Sequence, residues 1–540
     1  MKKTATVLAA LALSGVLVIS GCSKDTSTGG STGTTPTSSS AAAKYLSDAG
    51  VTTPVTINLQ YNPDHYGSSS DQEYGLIKQQ LEATGLFTVN LQSTAWVQYS
   101  KDRTNDVYPV FQMGWFPDFP DADNYLTPFF AANNFLKVHF EETDAGKAIG
   151  TQIQGEVTEV DPAKRQADIE AIQQALAAQL PTLPLLQGSQ WAVTRANMTG
   201  VNLLISDELA FTTLNSPDKK DIIIGTTDQT VTIDPAGSYD HGSLMLETQV
   251  YQFLMNFKPG DTAPSPDAAD KCDFSAPTVY TCTLKPGLKF ANGDDLTSSD
   301  VKFSFDRVVK INDANGPSSL LGNLDSVDAP DPLTVNFNLK EPNDQTFAQV
   351  LATSAGPIVD EQVMSPDALT PDDQIVAKQG FSGPYTFKSY AFNDTAVLVP
   401  YAGYNGGLDK PAQDSITYKT FTDASNLRLS ISNGDIDVAY RSLTPTDITT
   451  LQSDSNVKVW QAKGGEIRYI VFNMNTMPDG SSTYTDAQKL AIRQAIATSI
   501  DRDALSQNVY KGQYTPLCSY VPDGFVGATS AVCDMYPLDK

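Results

Sequence analysis

The pattern of residues 55–91 constrains the fold of this chain more than any other feature. Apolar and polar residues alternate over residues 55–61, which predicts a strand. Residues 71–83 carry apolar side chains at helical spacing, and the predicted helix ends at Gly85. The alternation returns over residues 87–91. A strand, a helix and a strand with short connections predict a parallel strand pair, and therefore a layered α/β domain.

Two later segments begin like capped helices. Asp161 precedes Pro162, a capping residue followed by proline in the first turn, and an apolar stripe then runs until Pro181. Thr485 with Gln488 three residues later has the spacing of a capping box. The chain is too long for one core, and its 40% apolar residues are enough to build several, so we expect two or three domains.

The amino-terminal residues have the pattern of an export signal. Lys2 and Lys3 precede an apolar run over residues 5–19, and small residues lead to Cys22. A membrane-spanning helix is the alternative, but the run is shorter than the roughly 20 residues that a bilayer needs. Residues 23–40 are almost entirely Ser, Thr and Gly, so we expect a flexible tether between residues 1–22, the signal peptide, and a folded body.

Charge and motifs argue against several classes of function. The formal charge is −26 with only 36 Lys and Arg, whereas nucleic acids and anionic membrane surfaces need clustered positive charge in a partner. The sequence has no phosphate-binding P-loop, no G-x-S-x-G elbow and no H-E-x-x-H pair, and His65, His139 and His241 stand alone. We therefore expect neither an enzyme nor a cofactor, although a glycosidase with paired carboxylates remains formally open.

The cysteines suggest disulfides. Of the five cysteines, Cys22 belongs to the export signal, which leaves Cys272, Cys282, Cys518 and Cys533. Three pairings are possible, and the two local pairs would close short loops, each stabilising the fold by roughly 3 kcal/mol. A metal site is the competing interpretation, but no histidine lies near these cysteines at ligand spacing, so we expect no metal.

Several stretches of the body resemble the signature of one family. The most informative is residues 284–304, which predicts a Pro-Gly turn, a short strand, an Asn-Gly turn and a capped helix start. Residues 232–236 look like the family's opening strand and turn. The stretches are LKPGLKFANGDDLTSSDVKFS at 284–304, TIDPA at 232–236, SGPY at 382–385, FN at 472–473, IRQAI at 492–496 and IDR at 500–502.

On these motifs the chain resembles the extracellular solute-binding proteins of family 5, the peptide and oligopeptide binders of ABC importers. The resemblance implies an α/β, two-lobed, periplasmic-binding-protein-like fold of class II, with the ligand cleft between the lobes and an extra subdomain in the family's first lobe. Residues 41–182 and 465–540 would form one lobe, and residues 183–464 the other, including the subdomain at 256–382.

The function implied by the resemblance is capture of di- or oligopeptides by lobe closure and their delivery to the permease subunits of an ABC transporter. We expect a monomer that binds no nucleic acid. Relatives in this family also take oligosaccharides, nickel complexes or haem, so the ligand stays open, and the three histidines disfavour a metal complex. A secreted hydrolase is the alternative outside the binder class, and it would leave both the export signal's cysteine and the signature unexplained.

The same resemblance assigns the cysteines. The sequence Ile-Ser-Gly-Cys ending at Cys22 resembles a lipobox, which implies lipidation of Cys22 and a protein anchored by lipid at the extracellular face of the cytoplasmic membrane. The remaining cysteines lie where related binders often carry disulfides, which implies pairing of Cys272 with Cys282 and of Cys518 with Cys533.

The order Trp-x-x-Asp within residues 112–125 resembles the ligand-binding segment of the family. Carried over, the main chain of Gly114, Trp115 and Phe116 would pair with an extended peptide, and Asp118 would hold its α-ammonium group. The alternative is a solvated, proline-interrupted loop in which Asp118, Asp121 and Asp123 form Asx turns. The family's usual Asp-Pro is Asp121-Ala122 here, which puts the loop geometry in doubt.

The matching pieces occur in an unusual order. Residues 41–214 resemble the carboxy-terminal portion of the family, yet they precede residues 219–540, which resemble the amino-terminal portion. The resemblance therefore implies a circular permutation. Residues 41–50 would supply the helix that family members form directly after the position equivalent to residue 540. It predicts that Lys540 lies beside Ala41 and that the strands crossing between the lobes do so near Lys463 and Pro184.

Overall fold

The computed structural model describes residues 40–67, 69–132, 134–204, 208–481 and 483–539. The predicted signal peptide, Cys22 and nearly all of the predicted tether lie outside these residues. The tether was predicted to reach residue 40, but Ser40 is the N-cap of the first helix and accepts a hydrogen bond from the Ala43 amide. None of the helices in the described ranges has the length and apolar character needed to cross a bilayer.

The secondary structure mixes strands and helices along the whole described chain, as the α/β prediction requires. The strands are β1 (Val55–Tyr61), β2 (Phe87–Ser93), β3 (Val110–Trp115), β4 (Thr182–Arg195), β5 (Asp221–Thr226), β6 (Met255–Asn256), β7 (Ser265–Pro266), β8 (Ala269–Ala276), β9 (Val279–Leu284), β10 (Leu324–Asp331), β11 (Thr334–Leu339), β12 (Tyr385–Ala391), β13 (Thr395–Pro400), β14 (Ser415–Thr420), β15 (Val438–Tyr440), β16 (Val457–Phe472) and β17 (Thr515–Pro516). The helices are α1 (Ala41–Asp48), α2 (Ser70–Ala83), α3 (Trp96–Arg103), α4 (Asp123–Phe130), α5 (Asp144–Val157), α6 (Pro162–Gln179), α7 (His241–Val250), α8 (Ser298–Ile311), α9 (Phe347–Val350), α10 (Asp372–Lys378), α11 (Ala424–Asn433), α12 (Pro445–Leu451), α13 (Asp486–Ser499) and α14 (Arg502–Ala504).

The predicted strand, helix and strand at residues 55–91 are confirmed. β1 pairs in parallel with β2 over its full length, from Val55 opposite Phe87 onward. The connecting helix α2 buries Tyr74, Ile77 and Leu81, the side chains that carry the helical spacing. The predicted caps of α6 and α13 are confirmed as well, because the Asp161 side chain accepts from two amides of the first turn and Thr485 forms a capping box.

Two long strands join the two halves of the main sheet, whose strand order is β12-β13-β14-β5-β15-β4-β16-β3-β1-β2. β4 has 14 residues and β16 has 16. At about 3.3 Å per residue each is long enough to run through two domains. We call the half with β1, β2 and β3 the β3 lobe, and the half with β5 and β12 to β15 the β5 lobe. The fold is therefore two-lobed, as predicted.

Each lobe has its own core. In the β3 lobe, helices cover both faces of the sheet: α1, α2 and α13 pack on one face, and α4, α5 and α6 pack on the other. The β5 lobe buries residues of β5, β12 to β14 and α7 in one cluster, and residues of α11 and α12 in a second. A separate four-stranded sheet, β10-β11-β9-β8, packs against α8 and forms the extra subdomain.

Two details of the predicted signature segments were wrong. The short strand expected after the Pro-Gly turn is only an isolated bridge between Lys289 and Asp295, because the amides of Ala291 and Asn292 donate to the carbonyl oxygens of Phe381 and Gln379. Residues 232–236, expected to form a strand and a turn, form the turn without the strand. The Asp234 side chain accepts from the Ala236 amide and starts a short 3-10 helix, so local side-chain bonding replaces strand pairing there.

Both predicted disulfides are present. Cys272 and Cys282 face each other across the β8–β9 pair, and Cys518 is bonded to Cys533. Among the described residues there is no group of three or more His, Cys, Asp or Glu side chains placed to hold a metal ion.

Candidate functional site

The predicted ligand segment leaves the carboxyl end of β3 and passes between the lobes. Gly114 and Trp115 are still in the sheet, opposite Arg468 and Ile467 of β16. A side chain at position 114 would lie 2.9 Å from both the Tyr66 ring and the Ile467 carbonyl oxygen, so only glycine fits without displacing them. The backbone of this segment is therefore closely packed on one side before it turns toward the β5 lobe.

Asp118 is held from both lobes. Tyr239 precedes α7 in the β5 lobe, and its hydroxyl donates to Asp118 Oδ1 at 2.5 Å. Asn124 of α4 donates through Nδ2 to Asp118 Oδ2 at 3.0 Å and accepts the Asp118 amide at 2.9 Å. Burial raises the pKa of the Asp118 carboxyl, and the hydrogen bonds from Asn124 and Tyr239 oppose that rise. Asp118 thus carries a partly desolvated carboxylate on the boundary between the lobes.

Trp115 supports this arrangement through its side chain. Its indole Nε1 donates to Asn124 Oδ1 at 2.9 Å, the same oxygen that accepts the Asp118 amide. The indole ring also stacks edge-on against Phe129, 5.1 Å between ring centroids. The indole is therefore part of the scaffold that fixes Asn124, and through it Asp118.

Phe116 points across the boundary at two residues of the β5 lobe. Its ring lies edge-on to the His241 ring at 5.6 Å, and the Arg441 guanidinium carbon lies 5.7 Å from its centroid. Arg441 Nε also forms an ion pair with Asp228 Oδ2 at 3.1 Å. Burial, together with the positive charge of Arg441, lowers the pKa of His241 well below its usual range, so His241 is neutral at physiological pH.

The alternative of a solvated loop with Asx turns is half right for the rest of the segment: Asp121 Oδ1 accepts the Asp123 amide at 3.0 Å in an Asx turn, but Asp121 is not solvated. Asp121 is 1% exposed and accepts two hydrogen bonds from Arg165 of α6, at 2.7 and 2.9 Å. Gln349 from the subdomain donates to the same carboxylate at 3.1 Å. Phe119 is buried in the apolar cluster of the subdomain, and burial raises the pKa of Asp123. The segment therefore joins the β3 lobe to the subdomain.

Sequence reasoning placed four of these residues together but missed their partners. Gly114, Trp115, Phe116 and Asp118 are neighbours in the chain, so one motif located them. Asn124 lies within the same segment, but Tyr239, His241, Arg441 and Asp228 come from three other segments, and no local spacing signals that they meet it. The one available hint was Asn124, a side chain able to bond nearby backbone six residues after Asp118.

Two cavities of the described protein lie away from this segment. One of about 570 Å³ follows β1 and β2, and one of about 340 Å³ lies in the β5 lobe near Thr248 and Lys258. Neither is lined by residues 114–118. Direct contacts between the lobes, from Asp118 to Tyr239 and from Phe116 to His241, occupy the boundary at that segment.

Comparison with known proteins identifies relatives of part of the chain. The protein named "Probable D,D-dipeptide-binding periplasmic protein DdpA" of Escherichia coli K12 is 28% identical over 317 residues, which are 57% of this chain and 58% of that protein. The glutathione-binding protein GsiB of Salmonella typhimurium is 26% identical over 316 residues, 58% of each chain. The chain thus spans little more than half the length of these curated relatives.

Solved structures show partial similarity as well. OppA of Burkholderia pseudomallei is 18% identical with a TM-score of 0.39, covering 44% of this chain and 48% of that one. AppA of Bacillus subtilis in complex with a nonapeptide is 22% identical with a TM-score of 0.36, covering 43% and 46%. The family described as "Bacterial extracellular solute-binding proteins, family 5 Middle" matches residues 19–137 and 263–539, nearly three quarters of the sequence. This chain therefore belongs to the bacterial extracellular solute-binding proteins of family 5.

Proposed function

We propose that this protein captures di- or oligopeptides outside the cell and delivers them to an ABC importer by closing its two lobes over them. The observation that carries the proposal is the contact of Asp118 with Tyr239, because it places a partly desolvated carboxylate of the β3 lobe directly against the β5 lobe. Membership of family 5 supports solute binding, and two relatives are named for binding a dipeptide or glutathione.

The α-ammonium group of a peptide takes the place of the Tyr239 hydroxyl on Asp118 in this mechanism. A charged donor gives a hydrogen bond roughly twice as strong as a neutral one, so the exchange favours the ligand. Asn124 keeps the second carboxylate oxygen in place during the exchange. A ligand that contacts both lobes binds the closed state better than the open one, and that difference in affinity drives closure.

The main chain of β3 supplies the rest of the contact in the proposal. β1 pairs with β3 only at Val110 and Phe111, so the edge of β3 that faces away from β16 is not covered by β1 beyond Phe111. Near Gly114 this edge faces the Tyr66 hydroxyl, 3.5 Å from the Gly114 carbonyl oxygen. A peptide strand pairing there would use backbone groups alone, which suits a carrier of varied sequences.

The finer features of the assignment belong to the same proposal. Cys22 carries the lipid that anchors the protein at the extracellular face of the cytoplasmic membrane, and the partners are the permease subunits of the importer. The protein works as a monomer, with residues 41–182 and 465–540 in the lobe that holds β3 and residues 183–464 in the other. A protein that binds oligosaccharides for the same class of transporter is the second candidate, and a secreted hydrolase is the third.

Calorimetric titration with a panel of di- to pentapeptides and a panel of oligosaccharides tests this function. We expect saturable binding of peptides with a free amino terminus and none of the sugars. Binding of sugars without binding of any peptide would show that the protein is an oligosaccharide binder. Hydrolysis of compounds from either panel would show that it is a hydrolase.

Peptide affinity should fall as the pH is lowered, earlier than for an ordinary aspartate. Ammonium binding needs the charged form of Asp118, and burial raises the pKa of this group, so its charge is lost at a higher pH. Below that pKa, affinity should drop by about tenfold per pH unit, while the peptide amine, with a pKa near 8, stays protonated. Titrations between pH 7 and 4 measure this, and a profile that stays flat down to pH 4 would contradict it. An Asp118→Asn variant is the control, because it should lack this pH dependence.

We also propose that the chain is a circular permutant of its family. The Asp539 carboxylate accepts the amides of Ala41 and Ala42, at 3.0 and 2.7 Å, and so caps α1. Tyr45 and Tyr536 lie 6.5 Å apart between ring centroids. Lys540, which was predicted to lie beside Ala41, is outside the described residues. The contacts with Ala41 and Ala42 are made by Asp539, the residue before it. The alternative is a fused gene product whose two parts fold separately or pair between molecules.

A chain with the family's usual order should fold to the same structure. It would run from residue 219 to 540, continue through a short Gly-Ser linker into residue 41, and end at residue 214. Because the joined ends already touch through Asp539, we expect an unchanged far-UV spectrum and a melting temperature within about 4 °C of the parent chain. A rearranged chain that is unfolded or only oligomeric would refute the permutation.

A further inference from the structure

β2 forms one edge of the main sheet, at the end of its strand order. It pairs with β1 over all 7 of its residues without a register shift, so its outer backbone groups repeat regularly along the edge. The sequence of β2, Phe87–Ser93, has no charged residue, no proline and no glycine. Short uncharged segments of this kind readily pair with strands of other molecules when they lie at an edge. The sequence of β2 therefore offers no protection of its own against such pairing.

Two side chains of α2 occupy the outer edge of β2 at Val89. Glu82 Oε1 accepts the Val89 amide at 3.0 Å, and Lys78 Nζ donates to the Val89 carbonyl oxygen at 2.5 Å. Lys78 Nζ also donates to Glu82 Oε1 at 2.6 Å, which links the two side chains to each other. We call this arrangement the Val89 clamp. A strand adding to β2 needs the amide and the carbonyl oxygen of Val89, and the clamp occupies both.

The backbone on either side of Val89 points the same way. Along a strand, the backbone groups of alternate residues face opposite edges, so Phe87 and Leu91 present theirs outward, as Val89 does. The cavity of about 570 Å³ that follows β1 and β2 is lined by Lys78, Val89 and Leu91 among others. Open space therefore borders this edge, and a strand could reach it if the clamp were absent.

Other edge strands of the protein receive similar bonds from neighbouring side chains. Lys302 of α8 donates to the Val327 carbonyl oxygen of β10, an edge of the small sheet, at 2.7 Å and to Asp306 at 2.6 Å. At the opposite end of the main sheet, Gln379 donates to the Phe387 carbonyl oxygen of β12 at 2.9 Å. β10 and β12 also contain charged residues and register shifts, which discourage pairing. β2 has neither, so its protection rests on the clamp.

We propose that Lys78 and Glu82 keep β2 from pairing with β2 of a second copy of this chain, and that opening the Val89 clamp turns this edge into a dimerisation surface. Two identical strands can pair antiparallel about a two-fold axis, with the same residues on both sides. With Val89 opposite Val89, Phe87 of one copy lies opposite Leu91 of the other. No charged side chain is brought opposite another in this register, which favours pairing. The inference does not depend on the proposed ligand.

Alanine at both clamp positions opens the edge without changing the net charge of the protein. Alanine is the most favourable residue in a helix, so the melting temperature should stay within about 4 °C of the parent. Sedimentation velocity over about a hundredfold range of concentration should show one copy for the parent protein. For Lys78→Ala with Glu82→Ala it should show a fraction of two-copy particles that grows with concentration.

Two further measurements locate the contact at β2. Hydrogen exchange of the amides of residues 87–93, followed by mass spectrometry, should be slower in the dimer than in the parent, because outward amides become bonded. Leu91→Pro added to the double variant should restore a single copy, since proline has no amide to donate across the edge. The Leu91 amide faces away from β1, so this change leaves the pairing with β1 in place.

A matched control removes another ion pair of the same spacing. Lys44→Ala with Asp48→Ala acts on an exposed pair of α1 and should leave a single copy. Glu82→Ala alone frees the Val89 amide and should dimerise more weakly than the double variant, and it is the test variant if the double variant does not fold. The proposal is overturned if the clamp variant stays a single copy, if its dimer survives Leu91→Pro, or if the α1 variant dimerises equally. A parent protein that is already dimeric would also overturn it.

Discussion

Replacing Asp118 by asparagine should weaken the binding of peptides with a free amino terminus by about tens-fold to thousands-fold. Removing one partner of a desolvated charge pair costs roughly 2–5 kcal/mol, because the ligand's ammonium group is then buried without a counter-charge. Asparagine has nearly the same shape, so the hydrogen bond of the Asp118 amide to Asn124 is kept and the fold should be unaffected. Calorimetric titration of the parent and variant proteins with one tripeptide gives the two affinities directly.

Two controls make this result specific. Asp261→Asn removes an exposed carboxylate between β6 and β7 and should change affinity by less than twofold, since an exposed charge is screened by salt. An N-acetylated peptide should bind the parent weakly and lose little more in Asp118→Asn. Unchanged affinity of the free-amine peptide for Asp118→Asn would show that Asp118 has only a structural role.

Replacing Asp234 by alanine should lower the free energy of unfolding by about 3–5 kcal/mol, because it leaves a buried arginine without its counter-charge. Asp234 is fully buried and Arg307 is 2% exposed, and both guanidinium Nη atoms donate to the carboxylate at 2.6 Å. The same carboxylate accepts the Ala236 and Thr370 amides. The pair therefore fixes the turn after β5 to α8 of the subdomain, and urea unfolding followed by circular dichroism measures its loss.

A surface pair gives the matched comparison. Lys302 and Asp306 lie on the same helix as Arg307 and are both more than two-fifths exposed, so Asp306→Ala should cost about 0–1 kcal/mol. The double variant Asp234→Ala with Arg307→Leu should be more stable than Asp234→Ala alone, because it removes the uncompensated charge. If Asp234→Ala proved no more costly than Asp306→Ala, the buried pair would not be an anchor of the subdomain.

Local residue patterns were enough to predict several secondary-structure elements of this protein. The parallel pair of β1 and β2 with α2 between them, the Asp161 cap and the Thr485 capping box depend on residues within a few positions of one another, so periodicity and capping chemistry suffice to predict them. The family signature extended this to the two-lobed fold and to the segment that carries Asp118. Only the strand expected within residues 232–236 is absent, because the Asp234 side chain accepts a backbone amide and holds these residues in the turn.

The contacts of the aspartates in the candidate site depend on packing between segments that are distant in the sequence. Asp118 meets a hydroxyl 121 residues away, at Tyr239, and Asp121 is neutralised by Arg165, 44 residues away on α6. Phe116 meets Arg441 only because β4 and β16 hold the two lobes against each other. A carboxylate's charge state depends on burial and on nearby charges, which are set by packing between distant segments. The sequence therefore indicated which residues carry the chemistry. The fold determined that Asp118 is held between the lobes and that Asp121 has a structural role.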